Sequence, residues 1–361
     1  MESNPALGSE HRKNCFDIMR HSAAYLVMVS HHFALNGFSE PKIFGSTKLG
    51  TLAVIIFFSI SGYLIASSFI NSKNSLSYFK KRVLRIFPGL IICSLIMTVF
   101  IFPFFGEINT PSEWFMSLTS LKSFLFFSLF GSPGSGELVN GFSNSYIFYN
   151  SANGSLWSLK FEFLDYIAIM VLFGFIKKPL IASIIFITLS FSILFINSKL
   201  HFSNHHLNLL SDYYIHRAAA YSIPFSIGAF LFTTKKWWIN DKRIRITAVI
   251  FSIITLLAYS DSSEISLVVL TIIPILIIII GTSFHDTIIK GRLDISYGVY
   301  IYAFPIQQIF SNYIPNQFFA SLAISTFCTT IIAIASWFFV EKRFLKRSKK
   351  SMIVMSSVSN K

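Results

Sequence analysis

The stretch FDIMRHSAAYLVMVSHHFAL, residues 16–35, decides how this chain is read. It has the length of an apolar segment that crosses a bilayer as a helix, yet it carries Arg20, His31 and His32. Ionisable groups inside a membrane helix are costly and by default mark a functional site. Arg20 and His31 lie eleven residues apart, which is three turns and ~16 Å of helix. Their side chains therefore share one face, while His32 is turned ~100° away. A guanidinium near one membrane surface and an imidazole farther along the same stripe describe the wall of a polar passage. The competing reading is a pair of interface residues that snorkel outward.

The rest of the chain agrees with a membrane setting. Of 361 residues, 53% are hydrophobic and 13% charged, against the ~25% charged residues of soluble domains. Apolar blocks fall at roughly 16–35, 48–70, 83–105, 156–176, 179–197, 213–232, 245–260, 264–281, 293–313 and 318–340. This pattern predicts an all-α integral membrane protein of about ten transmembrane helices. A net charge of +14 raises the question of nucleic acid. The cations, however, sit in short clusters between apolar blocks, and no loop outside the blocks is large enough to fold alone and display a basic face. With the N-terminus inside, cytoplasmic segments hold 23 Lys and Arg and outer segments 5. That bias places both termini in the cytoplasm. Residues 1–345 then form the transmembrane domain, and 346–361 a short basic cytoplasmic tail. The first block follows a polar tail without a small-residue cleavage site, so it is read as a retained helix.

Several features are read as structural. Cys15, Cys93 and Cys328 lie in or beside apolar blocks without metal-ligand spacing, so they are taken as small buried hydrophobes and no metal site is expected. His201, His205, His206 and Asp212 in an outer loop lack the HExxH order of a helical zinc site. A solvated loop is preferred to metal binding there. The long outer connection 106–155 carries an apolar patch at 124–130, and its GSPGSGE run (131–137) lacks the Lys-Ser/Thr of a phosphate-binding loop. The Asn153-Gly154-Ser155 sequon is treated as a chance match.

Three further stretches belong with the Arg20–His31 stripe. In YFKKRVLRIFPGL (78–90), Arg82 and Arg85 are neighbours on one helical face, and arginine's planar fork of donors matches phosphate oxygens. Ordinary positive-inside charge is the competing reading. In SLWSLKFEFLDY (155–166), Glu162 falls inside the expected membrane boundary, where a carboxylate needs a partner or water. It is either a member of the site or half of an ion pair. In FFSISGYLIASSF (57–69), Ser59, Ser61, Gly62 and Ala66 form a small-residue surface suited to close helix packing. Packing is preferred there to substrate contact.

Taken in order, these stretches resemble the membrane-bound acyltransferase 3 family, which O-acylates extracytoplasmic glycans. The family's Arg-x10-His signature falls on Arg20 and His31, with Asp17 just before it. Its FFxxSG(Y/F)L stretch is FFSISGYL (57–64), and its Arg-x-x-Arg-Ile-x-Pro run is Arg82, Arg85, Ile86 and Pro88. Its Trp-Ser/Thr-Leu-x-x-Glu motif runs from Trp157 to Glu162, and DISYGVYIYAFPIQQ (294–308) and FVEKRF (339–344) resemble its late segments. In place of the histidine that many members carry before the late proline, this chain has Ala303, so that histidine's role does not transfer. The segment after Glu341 is too short for the hydrolase-like domain some members add.

The resemblance implies acyl transfer from a coenzyme A thioester, most simply acetyl-CoA from the cytosol, to a hydroxyl of a glycan outside the inner (cytoplasmic) membrane. O-antigen of lipopolysaccharide and exopolysaccharide are the leading acceptors. It implies catalytic roles for His31, as general base on the acceptor hydroxyl or as transient carrier of the acyl group, and for Arg20, Glu162 and Asp17, with donor binding by Arg82 and Arg85. Trp157, Tyr297 and Ser61 are the implied substrate contacts. No permanently bound cofactor and no nucleic-acid partner are expected. A flippase or permease for lipid-linked glycans, and a membrane scaffold, remain the alternatives from other functional classes.

Overall fold

The computed structural model describes residues 14–45, 47–106, 110–131, 146–148, 151–203, 212–259, 266–289, 291 and 293–345. Each of the ten apolar blocks contains a helix. Helix α1 spans Phe16–Leu35 and is followed by a two-strand hairpin, β1 (Lys42–Ile43) and β2 (Thr47–Lys48), with Lys42 opposite Lys48. Then come α2 (Leu49–Ile70) and α3 (Ser75–Ile96), which continues through a π-helical turn, Met97–Ile101, into α4 (Phe102–Phe105). The long connection 106–155 contributes α5 (Pro111–Met116) and α6 (Leu118–Ser128), the latter covering most of the apolar patch. After it follow α7 (Leu156–Phe175), α8 (Pro179–Ser203), α9 (Asp212–Thr233), the single turn α10 (Lys235–Trp238), α11 (Lys242–Ala258) and α12 (Leu267–Ser283). The last two are α13 (Ser296–Tyr313) and α14 (Phe318–Ser336), the second ending in a π-helical turn at Trp337–Glu341.

Leu49–Ile70, Ser75–Phe105, Pro179–Lys199 and Phe318–Leu345 are long and apolar enough to cross a membrane by length and composition alone. α1 and α7 are as long as a span but are interrupted by Asp17, Arg20 and three histidines, and by Lys160, Glu162 and Asp165. These are the helices that carry candidate chemistry, and the charges that mark them also lower their hydropathy. The chain is a multi-pass membrane protein.

Helix α3 starts at Ser75 rather than near 83 because Asn74 caps it, its Oδ1 accepting the Ser77 amide at 2.8 Å. Arg82 and Arg85 therefore sit within a regular helix, ahead of Pro88. The cations expected at 12, 13, 290, 292 and 346–361 lie outside the described residues, as do the GSPGSGE run beyond Gly131 and the side chains of His201, His205, His206 and Asp212.

The fold divides into two compact units. One gathers Met1–Ala23, Lys42–Phe79 and Phe161–Arg292; the other gathers Ala24–Pro41, Lys80–Lys160 and Leu293–Lys361. In the first unit the small-residue face of α2 packs on α9, as the sequence favours. A Cβ added to Gly62 would lie only 2.7 Å from the backbone carbonyl carbon of Phe225. Backbone cannot swing aside as a side-chain tip can, so Gly62→Ala must push two helices apart. Overpacking of this kind costs about 1–3 kcal/mol. We expect a lower thermal midpoint for the detergent-purified variant, and an unchanged midpoint would contradict this packing.

Candidate active site

In the second unit, α13 acts as a spine to which separate segments are tied. Pro305 has no amide hydrogen, so the carbonyl of Ile301 loses its helical partner. Two buried groups fill that vacancy: Asn153 Nδ2 donates to Ile301 O at 2.9 Å, and the Cys93 thiol at 3.4 Å. One residue earlier on α13, Tyr300 donates to Ser155 O at 2.8 Å, with its hydroxyl 2.5 Å from Ser158 Oγ. Gln308 Nε2 donates to the carbonyls of Phe148 and Ser151, and Gln307 Nε2 to Met28 O on α1 at 2.9 Å. The approach to α7, including the turn before Trp157, is thereby fixed against α13. Asn153 is 1% exposed, which rules the sequon out as a glycosylation site in the folded protein. Replacing Asn153 by leucine leaves the buried Ile301 carbonyl with the weaker Cys93 thiol in place of its amide donor, at a cost of about 1–3 kcal/mol. A drop in thermal midpoint larger than that of a surface asparagine variant is the expected measurement.

His31 stands at the centre of these ties. Its ring meets Phe304 edge-on, with centroids 5.2 Å apart, and Phe304 also packs edge-on against Phe148. The Phe304 ring also lies against Gly154, where a Cβ would stand 2.7 Å from Cζ. His31 Nδ1 is buried with no hydrogen-bond partner among the described residues, as is His32 Nδ1. Gly37, at φ +77°, turns the chain back after α1, and Phe38 N donates to Phe33 O at 2.8 Å. That reversal returns Glu40 to the helix, where Ser30 Oγ donates to its Oε2 at 2.5 Å, one residue before His31. His32 has a different task. Fully buried, its Nε2 donates to the carbonyl of Phe318 at 3.0 Å and lies equally near Ser321 Oγ, which ties α1 to the start of α14.

The paired arginines lie in the same unit. Arg85 Nη2 meets Asp294 Oδ2 at 2.6 Å, with both side chains about 15% exposed. The guanidinium carbon lies 5.9 Å from the centroid of the Tyr297 ring, whose hydroxyl donates to Ile86 O at 2.7 Å. Tyr297, a candidate substrate contact, thus sits beside Arg85. Trp157 is half-buried at the start of α7, between residues held by Tyr300.

The first unit holds the remaining candidates. Ser61 and Tyr166 both donate to Glu162 Oε1, at 2.5 and 2.6 Å. Ser61 is thus a partner of the carboxylate, and these two hydroxyl bonds hold Glu162 in place. One turn on, the buried Asp165 accepts from Ser222 at 2.6 Å. Asp17 is buried in the first turn of α1, where a carboxylate complements the helix dipole. Arg20 is half-buried one turn later. Just ahead of α1, burial raises the Cys15 thiol above its ordinary value, reinforced by Asp286 and opposed by a backbone hydrogen bond. A protonated thiol is a poor nucleophile.

The sequence alone does not single out Glu40, Phe304, Gln307 or Asp294, nor the anchoring role of Asn153. Pro305 is the local signal that could have found part of this, since a proline inside a helix announces a carbonyl in need of a donor.

Among known proteins, the family model described as an acyltransferase domain matches residues 13–340, the acyltransferase 3 group. The chain is 35% identical over 356 residues to a protein of Shigella phage Sf6 named O-acetyl transferase, a match covering 95% of this chain and 99% of that one. It is also 41% identical over 93 residues to nodulation protein 10 of Rhizobium leguminosarum bv. viciae, about a quarter of each chain. No solved structure matches it.

Proposed function

The chain belongs to the acyltransferase 3 family, and from that premise we propose that it is an O-acetyltransferase of the cell inner membrane. It moves an acetyl group from cytosolic acetyl-CoA to a hydroxyl of an envelope glycan such as lipopolysaccharide O-antigen or exopolysaccharide. The observation that carries this reading is the imidazole of His31, packed edge-on against Phe304 with Nδ1 unpartnered among the described residues, on the same helix as Arg20. About ten spans, with both ends in the cytoplasm, put Arg82 and Arg85 at the inner surface and the His31 end of α1 toward the outside.

In this reading the two arginines hold the donor's phosphates, and its pantetheine arm extends toward His31. His31 takes the proton of the acceptor hydroxyl at neutral pH. The hydroxyl oxygen attacks the thioester carbonyl, a C–O bond forms, the C–S bond breaks, and the proton passes to the departing thiolate. Glu40 steadies the imidazolium that forms in between. Phosphate and glycan are met on opposite sides of the bilayer.

The test is reconstitution. The purified protein in proteoliposomes, supplied with acetyl-labelled acetyl-CoA, is expected to place label on purified O-antigen or exopolysaccharide. Passage of unmodified lipid-linked glycan across the bilayer without labelling would favour the transporter instead.

A further inference from the structure

Asp294 is assigned no part in donor binding, yet it occupies the arginine to which the donor's phosphate is directed. This argument rests on the proposed donor role of Arg85. The carboxylate is held from two sides: Oδ2 by Arg85 Nη2 at 2.6 Å, and Oδ1 by Ser296 Oγ at 2.9 Å. Ser296 is itself fully buried at the first residue of α13. The second hold matters, because it keeps the carboxylate in place when its arginine is drawn to another anion.

A guanidinium as enclosed as this one needs a counter-charge, since an uncompensated charge in a poorly solvated site is strongly destabilising. With no donor bound, Asp294 supplies it. A phosphate is a competing anion with the geometry that arginine's fork matches best. We propose that Asp294 is an exchangeable counter-ion: a CoA phosphate takes Arg85 from it on binding, and the carboxylate retakes Arg85 as CoA leaves. Donor binding is then exchange of one anion for another, and its affinity is lowered by the anion it must displace. Such a device suits an enzyme whose product retains every phosphate of its substrate. Acetyl-CoA and CoA would otherwise be held equally tightly at this end, and release would be slow. Tyr297 keeps the exchange local: its ring lies beside the guanidinium while its hydroxyl bonds the helix backbone one residue on.

The experiment measures CoA binding to the full-length protein in detergent or nanodiscs, together with steady-state acetyl transfer. Asp294→Asn removes the competing charge and keeps the shape. It is expected to bind CoA about tenfold more tightly, ~1.4 kcal/mol, with a lower KM for acetyl-CoA and a lower kcat as release slows. Ser296→Ala removes the hydroxyl that holds Oδ1 when Arg85 turns to the phosphate, and is expected to weaken CoA binding severalfold. Acetyl-pantetheine, which has no phosphate, should bind both variants as it binds the wild type. Asp294→Asn binding CoA no more tightly than wild type overturns the proposal. If that variant does not accumulate, unchanged CoA binding by Ser296→Ala overturns it. Arg85→Gln separates the two layers. Weaker CoA binding by Arg85→Gln beside an unresponsive Asp294→Asn sinks the exchange alone, whereas CoA binding indifferent to Arg85→Gln sinks the donor-site reading and the exchange with it.

Discussion

Gly154→Ala is expected to abolish most acetyl transfer although it adds a single methyl group. The new Cβ would lie 2.7 Å from Cζ of Phe304, closer than carbon atoms approach. Gly154 cannot retreat, because Asn153 on one side is bonded to Ile301 O and Ser155 on the other to Tyr300. The ring must therefore move, and the same ring packs against His31. A displacement of ~1 Å at a catalytic group costs about 10²-fold in rate. Shortening the ring relieves the clash, so Gly154→Ala combined with Phe304→Leu should recover activity relative to Gly154→Ala alone. Initial rates at matched membrane abundance make the comparison. Full activity in Gly154→Ala would show that Phe304 does not hold His31 in place.

The second large effect is at His31 itself. His31→Gln keeps a polar side chain of similar reach but removes the base, and general-base catalysis contributes about 10²–10⁴-fold. Transfer to glycan should fall by that factor, while CoA binding, which the proposed function assigns to the paired arginines, should stay within about twofold. Loss of both together would mean that the substitution had damaged the fold. His32→Gln makes the internal comparison. His32 is tied to Phe318 and Ser321, so its loss should lower stability more than it lowers the rate per folded molecule.

The fold is legible in the sequence because lipid leaves few choices. A run of about twenty apolar residues has to be a helix, and each of the ten such runs contains one. Arg20 and His31 stand out for the same reason, as costly residues in a stretch that does not otherwise tolerate them. What cannot be read is pairing across long separations. Asn153 reaches a carbonyl 148 residues away, and Gln307 one 279 residues away; no local pattern encodes either. Glu40 looks like an ordinary loop acid in the sequence, and only the turn at Gly37 shows that it returns to Ser30. Asp294 is part of a motif visible in the sequence, but its pairing with Arg85 is a property of the folded chain.

The most direct test of acetyl transfer through His31 is the O-acetyl content of surface glycans, measured by NMR, in cells lacking this gene. Complementation with wild type should restore the acetyl signals, and complementation with His31→Ala at equal membrane abundance should not. Equal restoration by both would contradict the role of His31, and acetylation indifferent to the gene would contradict the function.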